Sequence, residues 1–351
     1  MAALRWAGAS VRVVQLGQAA LGAAVPLLMF LLARRLGLSR RTAVLAAWIG
    51  ALYPPFVYFA GRVLSENVAI PLYLLALLLT VEWYSRRDLR WAVLCGAAWG
   101  ISILGRPTSL PLLPVALVVG LLFFGRRFVL QSLVVLVVAA ACVAPWMARN
   151  ASAVGGAEPV TSNEGLTLWA PNRLDVGPLK SVFRDPKYPG LQDYSVYGRA
   201  FPGISSVAQA KGFDFAHASE AAQDRWFRGL ALSAVGADPV RFVVRTVQRA
   251  GLMMIPAPDN ASQTAKTDLL STVALWVTSG PVVLLGLIGL ALLVRRGRDP
   301  AMWMLVAMGV VSVGVTAIHL PYVRYRVGGL DPVLIPAVAW LVFRDPRRVS
   351  R

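Results

Sequence analysis

The chain is poor in the residues that a disulfide framework or a metal centre needs. It has two cysteines and two histidines in 351 residues, and both cysteines, Cys95 and Cys142, stand inside apolar runs. Thiols so placed supply neither a disulfide framework nor a metal site with cysteine spacing; they read as small buried hydrophobes. There is no glycine-rich phosphate loop, no defensible Ser/His/Asp ordering and no metal motif. Acids are scarce too: outside 148–268 six carboxylates face 22 arginines. No cleavable signal is expected, because residues 1–10 are mixed in character and the apolar run after them is too long for an h-region.

What the chain has is apolar surface. It is 57% hydrophobic and 15% charged, with a mean hydropathy of +0.62. A hydrocarbon core of about 30 Å takes roughly 20 apolar residues per helix, and no soluble core absorbs so many such runs. The fold class expected is therefore an all-α polytopic membrane protein. Nine membrane helices are expected, at 11–33, 42–60, 64–83, 91–104, 109–124, 128–147, 269–294, 301–319 and 327–343. Three regions follow: a membrane domain over 1–147, an outer domain over 148–268 and a second membrane domain over 269–351.

The net charge of +18 does not imply nucleic acid, because 148–268 is nearly balanced, with 13 basic against 11 acidic residues. The excess lies in alternate short loops: Arg34, Arg35, Arg40 and Arg41; Arg86, Arg87 and Arg90; Arg126 and Arg127; Arg295, Arg296 and Arg298; and the tail from Arg344 to Arg351. By the positive-inside rule these loops are cytoplasmic. The turns at 60–66, 105–108 and 319–326 and the whole of 148–268 then face outward. An N-terminus outside with nothing to set that orientation suggests a further helix upstream of Met1. Trp48, Tyr53, Trp83, Trp91, Trp146 and Trp303, at the ends of runs, fit interfacial belts.

Within 148–268, residues 151–212 read as loop, with turn pairs such as Gly155-Gly156 and Asp185-Pro186. A helix is expected over 217–235. A second begins at Asp238, a good N-cap, with Pro239 in the first helical position. It sets Arg241, Arg245 and Arg249 on one stripe and Val240, Val243, Val244 and Val247 on the other. That pattern suits an interfacial helix with arginines at headgroup phosphates, and equally a helix with an ordinary solvated face.

The outward turns carry Arg62, Arg106, Arg324 and Arg326, against the positive-inside rule. Each alone reads as a side chain snorkelling to the interface. Together, as planar donor forks on one side of the membrane, they suit the phosphate of a lipid headgroup. Glu66 is the lone acid of these short turns. It can pair with Arg62, hold a divalent cation or serve in acid/base chemistry. Pro107 disfavours helix at Arg106 and leaves that arginine on irregular backbone. His319 and Tyr322 read as interfacial anchors.

Several short stretches then resemble one family. They are Ala33-Arg34-Arg35-Leu36, Leu64-Ser65-Glu66-Asn67, Gly105-Arg106-Pro107-Thr108, Pro145-Trp146-Met147-Ala148-Arg149-Asn150, Thr161-Ser162-Asn163-Glu164-Gly165 with Leu168-Trp169, and Arg324-Tyr325-Arg326 with Asp331-Pro332. In this order and spacing they resemble the C-type-fold membrane glycosyltransferases that use polyprenyl-phosphate sugars, among them protein mannosyltransferases and aminoarabinose transferases of lipid A. The resemblance implies inverting transfer of a sugar from a polyprenyl phosphate to an acceptor at the outer face of a bacterial plasma membrane. It places Glu66 in the acidic part of the site, with Arg62, Arg106, Arg324 and Arg326 neutralising the departing lipid phosphate. Asn67, Arg149 and Tyr325 join the substrate-binding set, and Asn163 and Trp169 line the acceptor side. The acceptor, protein, lipid or glycan, is not legible, and a divalent cation is the one cofactor to consider. Such enzymes carry a further helix, and an outer loop with an aspartate base, ahead of the helix that resembles 11–33; this chain shows neither. The alternative reading is a non-catalytic lipid-phosphate-binding protein or a flippase.

Overall fold

The computed structural model describes residues 10–60, 64–160, 163–172, 208, 211–215, 217–255, 269–295, 299–319 and 323–343. All regular elements among them are helical: α1 Val11–Gly22, α2 Ala24–Arg35, α3 Arg40–Leu52, α4 Pro54–Ala60, α5 Glu66–Arg86, α6 Leu89–Gly105, α7 Leu112–Phe124, α8 Val129–Ala153, α9 Glu164–Asn172, α10 Glu220–Ala237, α11 Pro239–Met254, α12 Leu269–Val294, α13 Pro300–Ile318, α14 Val323–Gly329 and α15 Asp331–Val342, with single 3₁₀ turns at Pro107–Ser109 and Gly125–Phe128. Two compact units result. Unit 1 is Met1–Val143, Met253–Val313 and Tyr322–Arg351; unit 2 is Ala144–Leu252 and Gly314–Pro321.

The starts of several helices are written locally. The Ser39 hydroxyl accepts from the Thr42 amide at 3.2 Å, the Asp88 carboxylate from that of Arg90 at 3.0 Å, and Asp238 from that of Arg241 at 2.9 Å. Each satisfies an orphan donor of the first turn. The Asp238 cap and Pro239 start are those expected from the sequence.

Each of the nine apolar runs coincides with a helix or a pair of helices. By length and composition five stretches suffice to cross a membrane, six if the bent pair α3 and α4 is one span, so the count of nine spans is not reproduced. One of the five runs over 47 residues, Pro107–Ala153, about 70 Å of helix at 1.5 Å per residue. It breaks at Gly125, whose φ of +67° suits glycine, so α7 and α8 are separate helices. Shorter apolar helices, Leu89–Gly105 and Asp331–Val342, fall below the roughly 20 residues of a full crossing. The 49° bend between α3 and α4 falls at Tyr53, held extended at φ −64°, ψ 110° ahead of Pro54, as a residue before proline prefers.

In unit 1, α5 is buried along most of its length, from Glu66 to Tyr84, and packs on α1, α2, α6 and α14. A helix apolar on all faces needs such a surround. Small residues allow the closest approaches: a Cβ at Gly96 would sit 2.6 Å from the Val135 carbonyl, and one at Gly100 would sit 2.6 Å from Cys142 Cβ. The spacing of four on α6 against α8 is the small-residue stripe typical of helix pairs in lipid. Cys95 is buried and Cys142 half-buried, and both are free.

Two of the expected interfacial aromatics are interior instead. Trp83 is fully buried, donates from Nε1 to Gln131 at 2.8 Å and stacks on Phe128 at 4.3 Å. Tyr53 is also buried. Its position at the end of a run matched a belt, but its hydroxyl has an internal acceptor. Trp48, Trp146 and Trp303 are exposed, as a belt requires.

In unit 2 the 151–212 stretch is less loop-like than expected, because α9 occupies Glu164–Asn172. Gly155 makes the turn foreseen there, at φ +76°; Asp185-Pro186 lies outside the described residues. The helix expected over 217–235 is α10, and α9 packs against it. A Cβ at Gly165 would overlap the Asp224 carbonyl, so glycine sets that contact. The arginine helix α11 is turned the other way from the headgroup reading. Arg245 and Arg249 are buried, whereas Val240, Val243, Val244 and Val247 are exposed. Arg249 donates to Asn172 Oδ1 at 2.8 Å and to the Pro171 carbonyl; burial, with Arg245 alongside, lowers its pKa to about 10. Internal acceptors at the end of α9 outbid lipid phosphate for this guanidinium.

Candidate functional site

Three separated turns of unit 1 meet at Glu66. The carboxylate opens α5 and is 2% exposed. Arg106 lies between α6 and the Pro107–Ser109 turn on extended backbone, φ −160°, ψ 126°, as its proline neighbour demands. Its Nη2 stands 3.3 Å from Glu66 Oε1. Arg324, on α14, places Nε 4.0 Å from the same oxygen. Tyr325 sits between the two cations: Arg106 lies over its ring at 4.7 Å and Arg324 at 5.0 Å, and Arg324 Nη2 donates to its hydroxyl at 3.2 Å. Ser65 donates to the other carboxylate oxygen of Glu66 at 3.2 Å.

Two guanidinium groups share one carboxylate, and buried Arg106 keeps Nη1 without a hydrogen-bond acceptor among the described residues. A buried charged donor left without a partner is costly. Gly328 makes the room: a Cβ there would lie 2.9 Å from Arg106 Nη1. An anion with several oxygens fits these donors, since arginine forks bind phosphate and carboxylate geometry. Glu66 is already engaged by two arginines, and among the described residues no group of three His, Cys, Asp or Glu lies together, whereas hard cations take six or more oxygens.

The other expected residues stand in different settings. Arg62, and with it the expected pairing with Glu66, lies outside the described residues; among the described residues Glu66 meets Arg106 and Arg324. Asn67 is buried and donates to the Phe59 carbonyl at 2.6 Å and to Gln18 Oε1 at 3.5 Å, tying the start of α5 to α4 and α1. Arg326 is fully buried. Its Nε is 3.0 Å from Asp331 Oδ1, its Nη1 donates to the Met253 carbonyl at 3.0 Å, and Tyr53 donates to Asp331 Oδ2 at 2.7 Å. Arg326 thus serves an internal carboxylate beside the cluster. Its alternation with Arg324 along α14 gave no hint of this; the nearby Asp331 did.

In unit 2, Arg149 packs over the Trp146 ring at 4.8 Å and donates to Asn150 at 3.1 Å. The Asn163 carbonyl accepts from the Thr167 amide at the start of α9 at 3.1 Å. Trp169 is buried against Phe227, with ring centres 5.2 Å apart. His319, expected at an interface, lies 4.0 Å from Glu164 and contacts the Val315 carbonyl at 2.8 Å; Tyr322 lies outside the described residues.

Asp224 is the titratable group sequence reading passed over. It accepts from the Gly165 amide at 2.6 Å and pairs with Arg228 at 3.2 Å. Burial raises its pKa to about 6, with the amide and Arg228 opposing. A raised carboxylate contributes its full stabilisation below the ordinary value near 3.8 and loses it as pH rises through about 6. Thermal unfolding of wild type against Asp224→Asn, followed from pH 4 to 7, should show a downward slope between about 4 and 6 that the variant lacks; parallel curves would refute the assignment.

Residues 2–148 match the sequence model of a family described as dolichyl-phosphate-mannose-protein mannosyltransferases. The match covers less than half of the chain. The match takes in α1 to α7 and most of α8, including Glu66 and Arg106, and it bears out the resemblance carried by the short motifs. A search of solved structures gives an archaeal oligosaccharyltransferase, AglB from Archaeoglobus fulgidus, in complex with an inhibitory peptide and a dolichol-phosphate. It has a TM-score of 0.49 and 15% identity, covering 94% of this chain and 39% of that one. The chain thus spans well under half the length of that protein. No curated protein matches.

Proposed function

We propose that the Glu66–Arg106–Arg324–Tyr325 cluster of unit 1 holds the phosphate of a polyprenyl-phosphate sugar and that the protein transfers the sugar to an acceptor at the outer face of a bacterial plasma membrane. The observation that carries this reading is buried Arg106 beside Glu66, with an Nη1 that has no acceptor among the described residues. In the transfer the C1–O bond to phosphate breaks and negative charge grows on the departing lipid phosphate. Fixed cations in a dry site stabilise that charge more than they stabilise the intact donor, which is the condition for lowering the barrier. The Arg106 and Arg324 forks do this work, Tyr325 keeps them apart and flat, and Glu66 aims them. The placement of both arginines in turns that the positive-inside pattern assigns to the outer face supports the sidedness. Asn163 and Trp169 are the acceptor-side candidates in unit 2.

The test uses the purified protein in lipid vesicles supplied with a polyprenyl-phosphate hexose labelled in the sugar and with a cell-envelope extract as the source of acceptor, reading release of polyprenyl phosphate together with movement of label to the acceptor. Wild type should show both. Glu66→Gln keeps the shape of the side chain but loses its charge, so it should lower kcat by about 10-fold to 100-fold while KM changes less. A Glu66→Gln protein as fast as wild type would remove Glu66 from the site.

A further inference from the structure

Roughly 30 Å along α5 from Glu66, at 1.5 Å for each of its residues, unit 1 has a second cationic place. A cavity of about 820 Å³ opens at the arginine-rich end, lined among others by Arg35, Arg87, Arg127, Phe124, Phe128 and Gln131. The size is that of a ligand pocket. Its arginines come from three places in the chain: the end of α2, the residue after α5 and the turn before α8.

Arg87 is held there at a conformational cost. It is the single non-glycine residue with positive φ, +53°, among the described residues. That position, just past a helix end, is usually given to glycine or asparagine. A chain of side chains fixes it: Trp83 Nε1 donates to Gln131 Oε1 at 2.8 Å, and Gln131 Nε2 donates to the Arg87 carbonyl at 2.7 Å. The guanidinium is laid over the Phe124 ring at 4.5 Å. Among the described residues one carboxylate, Asp299, lines the cavity. Glu82 holds Arg35 and Arg86, and Asp299 on the rim accepts from the Ala301 amide at 2.8 Å as the cap of α13. With Arg35 held by Glu82, Arg87 and Arg127 outnumber the one lining carboxylate, Asp299, and the described lining is net cationic. An arginine serving only as a topology signal needs neither left-handed backbone nor an aromatic rest nor a cavity.

We propose that this cavity binds the phosphate headgroup of an anionic phospholipid, with the Arg87 and Arg127 forks on the phosphate oxygens and the aromatic wall against the glycerol and first acyl carbons. The site is distinct from the Glu66 cluster and belongs to the opposite end of the same helix. A lipid held there would brace the ends of α2, α5 and α8.

The full chain in neutral detergent is titrated with dihexanoyl-phosphatidylglycerol, with dihexanoyl-phosphatidylcholine or with inorganic phosphate, and the thermal unfolding midpoint is read. The anionic lipid should raise the midpoint by about 3 °C, and the other two should not. The rise should vanish in Arg127→Gln and in Arg87→Gly, the second of which relaxes the backbone and so keeps the fold. It should persist in Arg106→Gln, which leaves this end intact. An undiminished rise in both cavity variants, or a loss confined to Arg106→Gln, would overturn the proposal. An equal rise with inorganic phosphate would overturn the lipid assignment in favour of a free phosphate.

Discussion

Arg106→Gln should lower transfer by about 100-fold to 1,000-fold, the range seen when one preorganised donor is removed from a developing oxyanion, with the protein still monodisperse in detergent. The physical reason lies in the surplus of donors. Arg106 meets Glu66 through Nη2 at 3.3 Å and holds Nη1 for another acceptor. Glutamine can reach one of these partners and brings no charge to either. Arg106→Lys should recover only part of the rate, because a point charge cannot serve two acceptors in one plane. Gly328→Val is the control from the other side, since it leaves Arg106 in place chemically while crowding Nη1, and should mimic Arg106→Gln in rate. Rates of release of polyprenyl phosphate check all three; a wild-type rate in Arg106→Gln would remove the phosphate role.

The second large effect is on stability. Asp331→Ala should destabilise unit 1 by about 3–5 kcal/mol, because it strands Arg326 as an uncompensated buried charge. Arg326 is fully buried, and the carboxylate is its ionic partner at 3.0 Å. Tyr53→Phe, which removes only the 2.7 Å donor to Asp331, should cost about 1 kcal/mol. Replacing the pair together, Arg326→Met with Asp331→Leu, should restore most of the stability lost by Asp331→Ala, since apolar isosteres of buried pairs are often neutral or better. Thermal unfolding in detergent reads all of these. A double variant less stable than Asp331→Ala would show that the pair does more than neutralise itself.

How much of this the sequence disclosed depends on the range of the interaction. Helix positions were legible because apolar period and caps are local: Asp238 caps where its type predicts, and Pro107 held Arg106 extended. The convergence of Arg106 and Arg324 on one side was legible from charge sign alone. What the sequence could not show is which acid each arginine takes. Glu66 and Arg62 are neighbours on one turn, yet the described partners come from 40 and 258 positions away. Tyr53 and Trp83 looked like belt residues because position in a run fixes depth, not direction. The α11 stripe was visible, but its inward orientation depends on Asn172 and the Pro171 carbonyl, which no helical period encodes. Asp224 was passed over because its pKa comes from burial by α9, an element read there as loop.

Arg106 and Arg324 are proposed to hold the lipid phosphate. The most direct measurement is the equilibrium affinity of the purified protein for a polyprenyl phosphate without sugar, in wild type and in the Arg106→Gln/Arg324→Gln double variant, with Arg127→Gln as the control from the far end of α5. The predicted result is a loss of binding of about 100-fold or more in the double variant and none in Arg127→Gln. Equal affinity in wild type and the double variant would contradict it and move the phosphate away from Glu66.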